Sequence, residues 1–93
     1  MNSQLGRTLQ EAVTTDSPDD VIAAAKRFFS RQNSIYSAYL EKEGHGWASF
    51  RGQGGEEIVI GTAKADGGTR VSGSTYLFDQ QVARFLSTLA PSP

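Results

Sequence analysis

Residues 57–89 read EIVIGTAKADGGTRVSGSTYLFDQQVARFLSTL, a β-hairpin pattern that leads directly into an amphipathic helix. Asp66-Gly67-Gly68 is a strong turn signal, because tight primed turns need a positive φ, which glycine adopts freely and aspartate tolerates. The two-residue loop is either Asp66-Gly67 or Gly67-Gly68. Side chains alternate along a strand, so both registers place the same set on one face: Ile58, Ile60, Thr62, Val71, Gly73, Thr75 and Leu77. The helix that follows is expected to cover this face.

Two helices are predicted on either side of the strands. Ser17 is expected to cap a helix that begins at Pro18, with Asp19 and Asp20 in its first turn. Its apolar face consists of Val21, Ile22, Ala25, Phe28 and Phe29. Asp79 is expected to cap the C-terminal helix, whose apolar stripe at i, i+3, i+4 and i+7 is Val82, Phe85, Leu86 and Leu89. Each helix therefore has one face to bury.

The region between the helices predicts two further strands. Apolar residues alternate with mixed ones from Ser34 to Glu41, and Trp47–Arg51 follows the turn Gly44-His45-Gly46. A second glycine-rich turn, 52–55, leads to the hairpin. Short connections favour neighbouring antiparallel strands, so we predict a four-stranded meander in the order 1-2-3-4.

The first 16 residues carry a weaker pattern. Leu5, Leu9 and Val13 recur at four-residue spacing, which indicates either a short helix or a flexible terminus. The predicted order is α-α-β-β-β-β-α, with one domain spanning 17–93. The expected fold class is α+β: a two-layer sandwich with the helices on one face of an antiparallel sheet.

The second sheet face is expected to carry an unusual number of large side chains. If each strand keeps its alternation, that face holds Ile35, Tyr39, Trp47, Val59, Arg70 and Tyr76. An open face of this kind typically marks an interface. We therefore predict a homodimer through the open faces or the edge strands. The alternative is a sheet that curls and shields these rings.

Composition narrows the function classes. The chain has 93 residues, 38% hydrophobic and 20% charged, with a net charge of −1 and no cysteine. Nucleic-acid binding usually needs a clustered basic face, so no nucleic-acid partner is expected. No disulfide, thiolate metal site, membrane segment or cofactor is indicated, and a cytoplasmic location is the default expectation.

Catalytic patterns are weak, whereas binding residues stand out. His45 is the only histidine and lies at a turn tip, and Glu56 and Glu57 are adjacent carboxylates whose side chains point to opposite faces. Trp, Tyr and Arg are the residue types enriched in binding hot spots. The candidate binding residues are Tyr39, Trp47, Arg51 and Tyr76; the competing interpretation is that they pack within the fold or across a dimer.

The segments 68–75 (GTRVSGST) and 78–86 (FDQQVARFL) resemble the closing strand and long C-terminal helix of START-like (SRPBCC, helix-grip) domains. That resemblance implies a helix that grips an antiparallel sheet and an apolar ligand between them. No site residue of the family can be carried over, because no site motif is matched. The family also has more strands than the four predicted.

The sequence thus favours a small non-enzymatic binding or assembly module, homodimeric through its sheet. The first alternative is a reduced START-like protein that binds an apolar small molecule between the C-terminal helix and the sheet. A further alternative is an enzyme that uses His45 or Glu57.

Overall fold

The protein is an α+β two-layer sandwich, with two helices on one face of a five-stranded antiparallel sheet. A computed structural model describes residues 7–32 and 36–91. The elements, in chain order, are β1 (Arg7–Thr14), α1 (Pro18–Ser30), β2 (Ala38–Gly44), β3 (Trp47–Gly52), β4 (Glu57–Ala65), β5 (Gly68–Tyr76) and α2 (Asp79–Ser87). The predicted fold class is confirmed, with one strand more than expected.

The sheet has the order β1-β5-β4-β3-β2, in which β2 to β5 form the predicted meander. Ala65 pairs with Gly68, so the tight loop is Asp66-Gly67, and Gly67 has a φ of 73°. Ile58 pairs with Thr75 and Ile60 with Gly73, as the alternation predicted.

The N-terminal segment is a strand, not a helix. Arg7–Thr14 pairs antiparallel with β5 along its whole length, so the packed domain includes residues before position 17. Leu9 and Val13 misled the prediction because a spacing of four fits both the helical period and the strand period. Tertiary pairing decided the outcome, since β1 satisfies the backbone groups that would otherwise lie open along the edge of β5. Leu5 lies outside the described residues.

Helix α1 begins as its sequence predicts. The Ser17 side chain accepts a hydrogen bond from the Asp20 backbone N–H at 3.1 Å, and Pro18 occupies the first turn. Val21, Ala25 and Phe29 are fully buried. On its exposed flank, Lys26 forms an ion pair of 2.5 Å with Glu43 of β2.

The start of α2 differs from the prediction in two ways. Asp79 does not cap the helix; its Oδ1 accepts a hydrogen bond from the Thr8 hydroxyl at 2.7 Å, and its carbonyl accepts one from the Gln10 amide at 2.9 Å. Leu77 leaves the buried face: it has a φ of 80° and is 63% exposed. This turn carries Phe78 into the core, so β1 and Phe78 together fix where α2 begins.

The core lies between the helices and the sheet. Phe29 is at its centre, with ring centroids 5.1 Å from Phe50 of β3 and 5.3 Å from Phe85 of α2. Phe28 adds a further contact with Phe85 at 5.6 Å. These rings join both helices to the sheet.

Candidate functional site: the outer face of the sheet

The sheet surface turned away from the helices, here called the outer face, is the candidate site. Cross-strand pairing gives it three long transverse rows, which are named below, and a short fourth row of Val13, Arg70 and Ala63. The charged row is Arg7, Tyr76, Glu57, Arg51 and Tyr39. The middle row is Leu9, Ser74, Val59, Ser49 and Lys42. The tryptophan row is Glu11, Ser72, Gly61, Trp47 and Gly44.

Large apolar and aromatic side chains are exposed on this face. Leu9 is 65% exposed, Tyr39 60%, Tyr76 44% and Trp47 39%. The inner surface of the same strands carries Phe50, Ile58, Ile60 and Val71, which are fully buried. The helices therefore complete one face of the sheet and leave the other open.

Ion pairs hold the charged row in a fixed arrangement. Arg51 donates Nε to Glu41 Oε2 at 3.1 Å and Nη2 to Glu41 Oε1 at 2.9 Å, a bidentate geometry that orients the guanidinium. Arg51 Nη2 also lies 3.7 Å from Glu57 Oε2. Arg7 Nη1 contacts the other oxygen of Glu57 at 3.0 Å, and its Nε donates to Ser74 Oγ at 2.7 Å.

This geometry sets the electrostatics of the row. The hydrogen bond from Arg51 lowers the pKa of Glu41, and the same bond raises the pKa of Arg51. Glu41 belongs to the outer face because the pairing register of β2 shifts between Leu40 and Lys42. The bulge there turns an extra carboxylate towards Arg51.

Small residues form the middle of the outer face. Ser49 is 5% exposed, and its neighbours across the strands are Val59 and then Ser74. Trp47 folds over Gly44, where a Cβ atom would collide with the indole ring. The centre of the outer face therefore carries short side chains, and larger side chains surround it.

The structure brings three of the four predicted binding residues together. Tyr39, Arg51 and Tyr76 lie in the charged row. Trp47 lies on β3 with Arg51 but about 13 Å along the strand, at 3.3 Å per residue. Ile35, also expected on this face, lies outside the described residues.

Sequence reasoning missed the contributions of Arg7, Leu9 and Glu11. All three lie on β1, whose segment was expected to be helical or flexible. The alternation in RTLQEAVT, with Arg7, Leu9, Glu11 and Val13 on one side, was the available signal.

The residues of the enzyme alternative lie apart. His45 is in the β2–β3 turn beside Trp47, whereas Glu57 pairs with Arg51 at the other end of β3. Glu57 is engaged by two arginines. Within the described residues no group of three or more side chains is placed to hold a metal ion.

The space required by the apolar-ligand alternative is filled by side chains. Val82 of α2 lies so close to β5 that a Cβ atom at Gly73 would be 2.5 Å from its Cγ1. Phe29, Phe50 and Phe85 pack in the same core, with centroid separations near 5 Å. The helix therefore packs directly on the sheet.

Comparison with known proteins supports the fold. No protein-family model matches the chain, and no curated protein matches its sequence. The solution structure of the Aha1 dimer from Colwellia psychrerythraea matches with a TM-score of 0.66 at 11% identity, over 88% of this chain and 91% of that one. In the part of this chain that the structure describes, neither helix is long and apolar enough to cross a membrane. The chain thus shares the architecture of that Aha1 structure, which supports a START-like arrangement at the level of fold.

Proposed function

We propose that this protein is a small non-enzymatic assembly module that forms a homodimer through the outer face of its sheet. The observation that carries the proposal is the open face itself. Leu9, Tyr39, Trp47 and Tyr76 are exposed there, while Phe50, Ile58, Ile60 and Val71 on the opposite face are fully buried. Several large exposed aromatic and apolar side chains on one face typically mark an interaction site.

The outer face has the size of a protein interface. Five strands at about 4.8 Å spacing give a width of about 24 Å, and seven or eight residues give a length of about 25 Å, or roughly 600 Å2 of projected area. A standard interface buries about 800 Å2 of accessible surface on each partner. Protruding rings raise accessible area above the projected value, so the face can supply a stable dimer.

The charges on the face favour a second copy as the partner. Positive and negative groups are almost balanced: Arg7, Lys42, Arg51 and Arg70 against Glu11, Glu41 and Glu57. A balanced surface repels a copy of itself little and gives no advantage to a strongly acidic or basic partner. Closed two-fold dimers, in which both subunits use the same patch, are the commonest homo-oligomers.

The structural neighbour gives independent support. The Aha1 protein of matching fold was solved as a dimer. The charged row also suits assembly better than catalysis. Its carboxylates are held by arginines of the same chain, which gives the row a defined charge pattern that a partner surface can complement.

Sedimentation velocity at tens of micromolar tests the proposal. We expect twice the 10.0 kDa mass of one chain. Val59→Arg places a charge at the centre of the outer face and should yield a folded monomer. Ala83→Arg puts the same group on the exposed side of α2 and should remain dimeric. A wild-type monomer at this concentration would overturn the proposal, as would a Val59→Arg protein that stays dimeric.

A further inference from the structure

The pattern of side chains on the outer face assigns a specific geometry to the dimer, and this inference rests on the proposed function. We infer that the two-fold axis crosses the strands along the middle row. Each strand then lies over the same strand of the partner and runs in the opposite direction. The charged row of one subunit meets the tryptophan row of the other.

Size complementarity supports this axis. Rotation about the middle row places a residue two positions before this row over the partner's residue two positions after it on the same strand. On β5, Tyr76 then lies over the partner's Ser72. On β4, Glu57 lies over the partner's Gly61. Each large side chain of the charged row on these two strands meets a small residue, which allows close packing of the two sheets.

Charge complementarity supports the same axis. On β1, Arg7 lies over the partner's Glu11, which is an exposed carboxylate. On β3, Arg51 lies over the partner's Trp47. Guanidinium groups stack favourably on indole rings, and the bidentate bond to Glu41 already fixes the plane of this guanidinium.

The middle row itself contacts its own copy. Leu9 lies over the partner's Leu9 and Val59 over the partner's Val59, which gives two apolar contacts on the axis. Ser49 and Ser74, between and beside them, are small enough to let the sheets approach. Lys42, at the exposed end of the row, can direct its ammonium group into solvent.

An axis that runs along β4 would give a poorer fit. It would place Glu57 over the partner's Glu57, with like charges opposed. It would also place Gly61 over the partner's Gly61, with no side chain to fill the gap. The distribution of charge and size along β4 therefore selects the axis that crosses the strands.

Single-cysteine cross-linking tests this geometry, because the natural chain contains no cysteine. Leu9→Cys, Val59→Cys and Lys42→Cys place thiols at one edge, the centre and the other edge of the middle row. Face-packed sheets lie about 10 Å apart, so a bismaleimide of that span is the suitable reagent. The inferred axis predicts covalent dimers from all three variants. Ala83→Cys, on the helix side, should give none.

Other outcomes separate the inference from the proposed function. Cross-linking of Val59→Cys alone would overturn the inferred axis and favour the axis along β4, while the face-to-face dimer stands. Cross-linking of only Leu9→Cys or only Lys42→Cys would indicate edge pairing and overturn both. A dimer mass without cross-links at any of the three positions would also overturn both. A monomer in sedimentation refutes the proposed function itself.

Discussion

The two faces of one sheet differ in what completes them. The inner face carries Phe50, Ile58, Ile60 and Val71, all fully buried under α1 and α2. The outer face, made by the alternate residues of the same strands, exposes aromatic rings around a fixed set of ion pairs. Side chains that alternate along the same strands therefore lie in two different environments, one buried and one exposed. The inner set is buried within the chain, and we propose that a second copy covers the outer set.

The largest expected effect comes from the inner face. Phe50→Ala removes a fully buried ring that packs 5.1 Å from Phe29. The cavity left behind should lower the free energy of unfolding by about 3–5 kcal/mol, a large share of the stability of a small domain. Urea denaturation measures this loss. A loss below about 1 kcal/mol would mean that the phenylalanine cluster is not the core of the fold.

Two glycines provide a matched pair for the two faces. Gly73→Ala on the inner face puts a Cβ atom 2.5 Å from Val82 Cγ1, so the buried Val82 side chain or the helix that carries it must shift. We expect a loss of about 1–3 kcal/mol in the free energy of unfolding. Gly61→Ala on the outer face meets the Ser72 hydroxyl at 3.1 Å, which can rotate away. Urea denaturation of dilute Gly61→Ala protein should show a change below about 0.5 kcal/mol in the free energy of unfolding. Equal losses for the two variants would contradict the packing of α2 on β5.

Two tyrosines of equal exposure allow the role of the outer face in dimer formation to be tested. Tyr76 and Tyr36 are both 44% exposed, but only Tyr76 belongs to the outer face. Tyr76→Ala should raise the dimer dissociation constant about tenfold, equivalent to about 1.4 kcal/mol. Tyr36→Ala, whose ring contacts Phe78 instead, should leave it unchanged. Sedimentation equilibrium measures both constants. The reverse pattern would place the interface at the end of the sheet near Tyr36.

The smallest effect concerns pH. The pKa of Glu41 is lowered in the folded protein by the hydrogen bond from Arg51, so this pair stabilises the fold above the ordinary carboxyl pKa of 4.5. The contribution is lost as the pH falls through the lowered pKa of the folded state. Wild-type protein should therefore lose more stability between neutral and acid pH than Glu41→Gln does. Urea midpoints at fixed protein concentration give the comparison, and identical pH profiles would remove any role for the pair in stability.

The meander and the inner face could be predicted because their signals are local. Asp66-Gly67 sets the hairpin turn, and alternation then assigns Ile58, Ile60 and Val71 to one face. The cap at Ser17 is likewise a contact within four residues. Sequence reasoning succeeds where the deciding contact is close along the chain.

The errors arise where the deciding contact is distant. Arg7–Thr14 becomes a strand because β5, some sixty residues further on, offers an edge. Asp79 bonds to Thr8 across 71 positions instead of capping its own helix. Arg7 and Leu9 belong to the candidate site only because this segment is a strand. The prediction of a helix or a flexible terminus therefore missed that part of the outer face as well.

Trp47 offers the most direct test of the account, because it is the only tryptophan and lies on the outer face with 39% of its surface exposed. Acrylamide quenching of its fluorescence should be measured across protein concentrations that span the monomer–dimer transition. The account predicts that the quenching constant falls, by about half or more, in step with the doubling of mass, since a second copy covers the ring. A dimer that forms while the quenching of Trp47 stays constant would show that the outer face remains open, and it would contradict the central claim.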